Sequence, residues 1–254
     1  MNYQDINAKT IDSWIEGEGG WEWGKPIPHE EYVKAAHGDW GMLLTPQVPV
    51  PKEWYPKLAG CKVLGLAAGG GQQMPLFAAL GAECTVLDYS KKQLESERMV
   101  AAREGYEIDI IRADMTKPLP FQDESFDLVF HPVSNCYIQD VLHVWRECYR
   151  ILRPGGRLMA GMGNGFEFVT DWGGTEIKYS LPYNPLKSKE LYEQAMRSND
   201  GVQFSHTLNE QIRGQIQSGF RLIDLYEDVD KEGTSARFNI PVYWATLAEK
   251  PTLL

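Results

Sequence analysis

Positive charge is scarce in this chain: 25 Lys and Arg stand against 35 Asp and Glu among 254 residues, a formal net charge of −10, and no stretch gathers the cations into a stripe. Such a chain repels phosphate backbones, so nucleic acid is not expected as a partner. Cysteine is also scarce. Cys61, Cys84, Cys136 and Cys148 form no Cys-x-x-Cys pair; three of them sit in strand or helix patterns, and they read as reduced, buried thiols, with no metal expected. No apolar run is long enough to cross a bilayer, and Met1-Asn2-Tyr3-Gln4-Asp5 lacks the basic region and apolar core of a signal peptide. The expectation is a soluble, cytoplasmic protein. Repeats and low-complexity segments are absent, and the length suits one large α/β domain with a modest appendage.

What is present centres on Val63-Leu64-Gly65-Leu66-Ala67-Ala68-Gly69-Gly70-Gly71-Gln72-Gln73, an apolar run that breaks into three glycines. Its form is strand, tight turn, helix. Glycine lets a ligand approach backbone N–H groups at a helix N-terminus, where partial positive charge favours anions. Cys84-Thr85-Val86-Leu87-Asp88 then reads as a strand ending in an acid, about 20 residues past the glycines, where a doubly wound fold places the carboxylate that holds ribose hydroxyls.

From Gly60 onward strand and helix alternate. Strands are expected near 62–66, 84–88, 108–112, 126–130 and 157–162, with helices near 72–80, 91–103 and 141–152, and the last strands at 220–226 and 240–248. Ser90 with Gln93 and Thr207 with Glu210 have capping-box spacing. The alternation implies a doubly wound, mostly parallel seven-stranded sheet with an antiparallel last strand. Ahead of it, residues 1–58 carry five of the eight tryptophans (Trp14, Trp21, Trp23, Trp40, Trp54), broken by Gly17, Gly19 and Gly20. A helix is expected near 5–16, with Ile6, Ile11, Trp14 and Ile15 on one face. This segment reads as an aromatic cap, either packed on the main domain or serving as a lid over a site. The main domain is placed at 59–254, with an insertion at 163–205 that holds Trp172, Tyr179, Tyr183 and Tyr192.

In this order and spacing, the glycine turn, Val86-Leu87-Asp88-Tyr89-Ser90, Ala113-Asp114-Met115 with Leu119-Pro120-Phe121, and Ser125-Phe126-Asp127-Leu128-Val129 with Leu152-Arg153-Pro154-Gly155-Gly156 resemble the class I S-adenosylmethionine-dependent methyltransferases, in the type 11 group. The match spans about residues 60–160. The resemblance implies S-adenosylmethionine as cofactor and S-adenosylhomocysteine as product. It implies that Gly69, Gly70 and Gly71 pass under the methionine part, Asp88 accepts from both ribose hydroxyls, Tyr89 lies along the adenine, Asp114 accepts from the adenine amino group and Met115 offers its backbone N–H. The family usually has an acid where Gly65 stands and a glycine where Ala67 stands. Gln72 or Gln73, or a polar group of the lid, is then expected at the amino acid end.

The implied reaction is in-line displacement of a sulfonium methyl by a small-molecule acceptor. If a base is needed, His131, just past the fourth strand, is the candidate, also placed beside the cofactor; its other reading is a histidine that orients the loop. Asn135, Tyr137, His206 and Trp14 are the candidate acceptor contacts. Two further readings stand beside this one: an NAD(P)-dependent oxidoreductase, which shares the glycine turn and ribose acid, and a non-catalytic S-adenosylmethionine-binding module.

Overall fold

The structure is a computed structural model that describes residues 2–17, 21–170 and 176–252. Gly19, Gly20 and Trp172 lie outside the described residues.

Five parallel strands, β1 (Lys62–Leu66), β2 (Glu83–Asp88), β3 (Ile108–Arg112), β4 (Phe126–His131) and β5 (Leu152–Gly163), carry the first half of the sheet. With β6 (Arg221–Asp228) and β7 (Tyr243–Glu249) the order is β3-β2-β1-β4-β5-β7-β6, and β7 runs antiparallel between its two neighbours. The expected sheet is therefore the observed one. Parallel neighbours need crossovers, and helices α3 (Met74–Ala79), α4 (Lys91–Glu104) and α5 (Val141–Ile151) supply them. Because β1 pairs with both β2 and β4, the chain order reverses at these central strands, and their C-terminal ends flank a crevice there.

Both faces of the sheet are covered. On one, Val141, Val144, Trp145, Cys148 and Ile151 of α5 recur at helical spacing and are buried against Leu64, Leu66, Val129 and Leu158. The other face packs α3, through Met74 and Phe77, on Val63, Leu128 and Phe130. Each such aliphatic or aromatic burial contributes roughly 1.5–3 kcal/mol. Among the described residues, no helix is long and apolar enough to cross a membrane.

The N-terminal segment divides in two. Helix α1 (Tyr3–Glu16) begins earlier than expected because Asn2 caps it, its side chain accepting from the Asp5 N–H at 2.8 Å. Its buried positions are Asn7, Ala8 and Thr10 rather than the isoleucines. After α2 (His29–Ala36), which the sequence reading did not anticipate, Met42, Leu44, Val50, Trp54 and Tyr55 enter the same core as Phe77 and Phe130. Trp54 is held further by its Nε1, which donates to Asp224 at 2.9 Å. Residues 42–58 thus join the main core, while α1, Trp21 and Trp23, together with residues 43–46, border the cavity at the strand ends.

The insertion contains α6 (Lys189–Ser198), capped by Ser188. The Thr207 capping box forms in both directions, with Glu210 N–H donating to Thr207 Oγ1 and Thr207 N–H donating to Glu210. The helix it opens is a π-turn over Asn209–Arg213 followed by a short α7 (Gly214–Gln217), where one continuous helix is expected from the sequence. A short helix, α8 (Gly233–Arg237), lies between β6 and β7.

Candidate active site

The site begins where β1 ends. Ala67 takes φ +48°, a left-handed conformation in which glycine would be unstrained, and its N–H donates to Leu87 O. Two residues on, a Cβ at Gly69 would stand 2.8 Å from Gln93 Cβ and 3.0 Å from Asp88 Oδ2, so only glycine brings the turn this close to the acid. The Gly69 N–H donates to Asp88 Oδ2 at 3.1 Å, and the Ser90 N–H donates to Oδ1 at 2.9 Å. Each carboxylate oxygen keeps a lone pair. Burial pushes the Asp88 carboxyl up to about 6, against the opposing pull of backbone N–H donors from Ser90, Gly69 and Tyr89.

Because Asp88 takes the Ser90 N–H, the expected Ser90–Gln93 capping box is half made. Ser90 Oγ accepts from the Gln93 N–H at 3.1 Å, but the Gln93 side chain turns toward the glycines instead. At the next strand end, Asp114 Oδ1 accepts from the Thr116 N–H at 2.8 Å, and the buried Met115 has no protein acceptor for its N–H among the described residues. Tyr89 is fixed by its hydroxyl, which donates to Asp5 Oδ1 at 2.7 Å, and by the Arg112 guanidinium 4.9 Å from its ring centre.

These groups line a cavity of about 430 Å³. Its roof is one face of α1, since Gln4, Asn7, Ala8, Ile11 and Trp14 recur at helical spacing along it, continued by Trp21 and Trp23. Trp14 is anchored by its Nε1, which donates to Asn199 O at 3.0 Å, and by the Trp21 ring at 5.2 Å. Gln72 Nε2 donates to Glu22 O and Lys25 O, and Gln73 Oε1 accepts from the Leu43 N–H, so the two glutamines tie the N-terminal segment to the glycine turn while still lining the cavity.

Of the candidates read from the sequence, Gly69, Gln72, Gln73, Asp88, Tyr89, Asp114, Met115, Tyr137 and Trp14 meet in this cavity. Others do not. Gly70 and Gly71 support it from behind: their N–H groups donate to Gln93 O and to Glu97 Oε2. His131 is fully buried; its Nδ1 donates to Leu66 O at 2.8 Å, its ring packs edge-on against Trp145, and burial lowers its pKa to about 4. It does not line the cavity and stays neutral, which is the loop-orienting reading of this residue rather than that of a base. Asn135 and His206 are likewise turned inward, Asn135 Nδ2 donating to Gln211 at 3.0 Å and His206 Nε2 donating to Asn135 O at 3.0 Å, where they hold the loop that presents Tyr137. Cys136, expected buried, is half-buried at the cavity wall, its thiol pushed up to about 12 by burial.

Sequence reasoning missed Glu167, Gln203 and Tyr243, which also line the cavity. Glu167 is open to the cavity yet ringed by protein, and that desolvation raises its carboxyl to about 7. No spacing could have found it, because it sits in a one-turn 3-10 segment, Phe166–Phe168, between β5 and the insertion.

A parallel sheet with a glycine turn after β1, acids after β2 and β3 and a roofed cavity between them defines a nucleoside-binding α/β enzyme. Residues 64–160 match the methyltransferase domain family. The chain is 39% identical over 251 residues to YbaJ, an uncharacterized methyltransferase of Bacillus subtilis (strain 168), covering 96% of this chain and 97% of that one. It is 35% identical over 102 residues to the demethylmenaquinone methyltransferase of Clavibacter sepedonicus, covering 40% of this chain and 41% of that one. The fold is shared with an S-adenosylmethionine-dependent methyltransferase from Mesorhizobium loti, with TM-score 0.60 and 21% identity over 78% of this chain and 94% of that one. The chain belongs to the class I S-adenosylmethionine-dependent methyltransferases. It is an enzyme with S-adenosylmethionine as methyl donor, and neither the oxidoreductase nor the binding-module reading is favoured.

The residues present fit that cofactor. Gly69 and Asp88 both line the open cavity, the carboxylate keeps acceptor capacity, and among the described residues the Met115 N–H is unclaimed by protein. The position where the family usually has an acid is closed, because a side chain at Gly65 would run into Met74.

Proposed function

We propose that the protein methylates a small-molecule acceptor in the cavity beneath α1. The observation that carries this reading is the roof: Gln4, Asn7, Ala8, Ile11 and Trp14 stand over the same cavity that Asp88 and Met115 line from below, leaving a volume of about 430 Å³ suited to small ligands. In this reading residues 3–17 and 21–24 form the lid, and the family's implied contacts are assigned to the groups that reach the cavity. Asp88 accepts from two ribose hydroxyls, Tyr89 lies along the adenine, Asp114 accepts from the adenine amino group and Met115 donates its N–H. With Gly65 unable to carry an acid, the Gln72 Oε1, whose amide nitrogen is already engaged, is the acceptor offered to the methionine ammonium.

The bound cofactor supplies an electrophilic methyl on sulfur. What the protein's own residues supply is orientation and exclusion of water, which can be worth several kcal/mol when an encounter is replaced by an aligned pair. The lid residues Trp14 and Ile11 exclude water from above, and Tyr137 and Tyr243 bound the acceptor side.

The test is methyl transfer from labelled S-adenosylmethionine to a panel of small metabolites, denatured protein and total RNA, read by mass spectrometry. Label in small molecules is expected. Turnover confined to protein or RNA would sink the small-molecule reading.

A further inference from the structure

A second cavity of about 650 Å³ adjoins the first, and Glu167 and Gln203 line both. Its walls combine aromatic rings, where Phe168 stacks on Tyr183 with ring centres 5.1 Å apart and Tyr179 meets Tyr183 edge-on at 5.8 Å, with the acids Asp200, Asp230 and Glu232. The single described cation along it, Arg237, lies with its guanidinium over the Phe238 ring. The first cavity has no lysine, arginine or histidine among its described lining residues, but three carboxylates, Asp88, Asp114 and Glu167.

Asp88 and Asp114 stand at the strand ends that hold the nucleoside. Glu167 does not. It lies on the far side, at the passage between the two cavities, and a Cβ at Gly163 would collide with its carboxylate, so the strand gives way to let the side chain lie there. Among the described residues no Lys, Arg or His pairs with it. A carboxylate with solvent access, no cation partner and neighbouring aromatic rings is a site for an organic cation, since ring faces and the carboxylate attract the same charge. An anionic acceptor would meet net negative charge with no counter-group.

Resting on the methyltransferase reading above, we propose that the methyl acceptor is a small amine that enters as its ammonium form, with its nitrogen beside Glu167 and its carbon skeleton in the aromatic second cavity. The Glu167 carboxylate takes one proton from the ammonium, freeing the nitrogen lone pair. That pair forms the N–C bond to the methyl carbon as the C–S bond breaks and its electrons pass to sulfur, leaving a neutral thioether. The product is the methylated ammonium, and the proton held by Glu167 passes to solvent through the second cavity. Positive charge thus moves from sulfur to nitrogen while Glu167 holds the proton and is neutral, and the methylated ammonium faces a carboxylate again once that proton has passed to solvent. The groups that bear on Glu167 are Asp230, Tyr243 and Cys136. Desolvation by the surrounding protein, with Asp230 added, outweighs the backbone N–H donors of Glu167 and Gly165 and holds its carboxyl at about 7, close to the working range of a general base.

The experiment is calorimetric titration of phenethylamine, phenethyl alcohol and hydrocinnamate into wild-type protein and Glu167→Gln, each saturated with S-adenosylhomocysteine. The amine should bind wild type about tenfold or more tightly than the alcohol or the acid at about pH 8, and its affinity should fall toward about pH 6 as Glu167 takes up a proton. In Glu167→Gln the amine should weaken by about tenfold and lose this pH dependence, while S-adenosylhomocysteine binds within about twofold of wild type. An amine that binds no better than the alcohol, or binds Glu167→Gln as well as wild type, overturns the proposal and leaves the methyltransferase reading standing. Failure of wild type to bind S-adenosylhomocysteine overturns both.

Discussion

Met74 occupies the space that a side chain at Gly65 would need: a Cβ built on Gly65 would lie against Met74 Sδ, with Met74 Cγ at 3.1 Å and Ala68 Cβ at 3.3 Å. Met74 is fully buried at the start of α3, so the missing family acid is not an open gap but a filled one. Gly65→Asp should therefore destabilise the protein by about 3 kcal/mol or more, from overpacking and a buried charge together. Met74→Ala should cost about 2–5 kcal/mol on its own. In the double variant the new side chain has room, so its loss should fall short of the sum by about 1 kcal/mol or more in chemical denaturation. Additive losses would show that the two positions do not compete for space.

Ala67 bears its strain in the turn itself. With φ at +48° the backbone is in the region that glycine enters freely. Ala67→Gly should leave stability unchanged or raise it by up to about 1 kcal/mol, the relief of strain exceeding the greater freedom of the unfolded chain. A clear loss of stability would mean that the methyl group packs more than it strains.

Asp88 accepts two backbone N–H groups, from Gly69 and Ser90, with one on each oxygen. Asp88→Asn keeps the shape but turns an N–H donor toward one of them and removes the charge. Binding of S-adenosylhomocysteine should weaken by about tenfold to a hundredfold, read as a smaller rise in unfolding temperature with ligand, while NAD and NADP produce no rise in either protein. A shift with a nicotinamide cofactor, but none with S-adenosylhomocysteine, would contradict the assignment.

Glu97 is fully buried in α4, where its Oε2 accepts the Gly71 N–H at 2.8 Å, and burial raises its carboxyl from 4.5 to about 7. A carboxyl whose folded pKa is raised binds its proton more tightly in the folded state. Its stabilising contribution is therefore complete below about 4.5 and is lost as pH rises through about 7. Wild-type unfolding temperature should accordingly fall across that window. Glu97→Gln preserves an acceptor for Gly71 and should reduce the fall, leaving the slopes that Asp88 contributes below about 6 and Glu167 below about 7. An unchanged slope would place the titration elsewhere.

The sheet was legible because its strands are local patterns. β1 and β4 begin where the apolar runs begin, and Asp88 closes β2 where the alternation predicts an acid. Helix α5 was legible from its strong apolar periodicity, and α4 from the Ser90 cap that opens it and Gly105 that ends it. Short α2 carries too few residues for a period to be counted, and the π-turn after Thr207 differs from an α-helix by one residue of hydrogen-bond register, which no side-chain spacing reports. His131 was misplaced for a different reason: a residue at a strand end can turn toward the cavity or into the core, and Leu66 O, 65 positions away in sequence, decides which.

By itself the sequence determined the α/β class, the strand order's glycine turn and the two acids that flank it, because backbone conformation and strand alternation follow from neighbouring residues. Only the tertiary structure decided that α1 roofs the cavity, that Met74 fills the space beside Gly65, that His131 is a core residue and that Glu167 borders both cavities. Each of these rests on contacts between segments distant along the chain or on the burial of a charge, and both depend on which surfaces meet in three dimensions rather than on which residues adjoin in one.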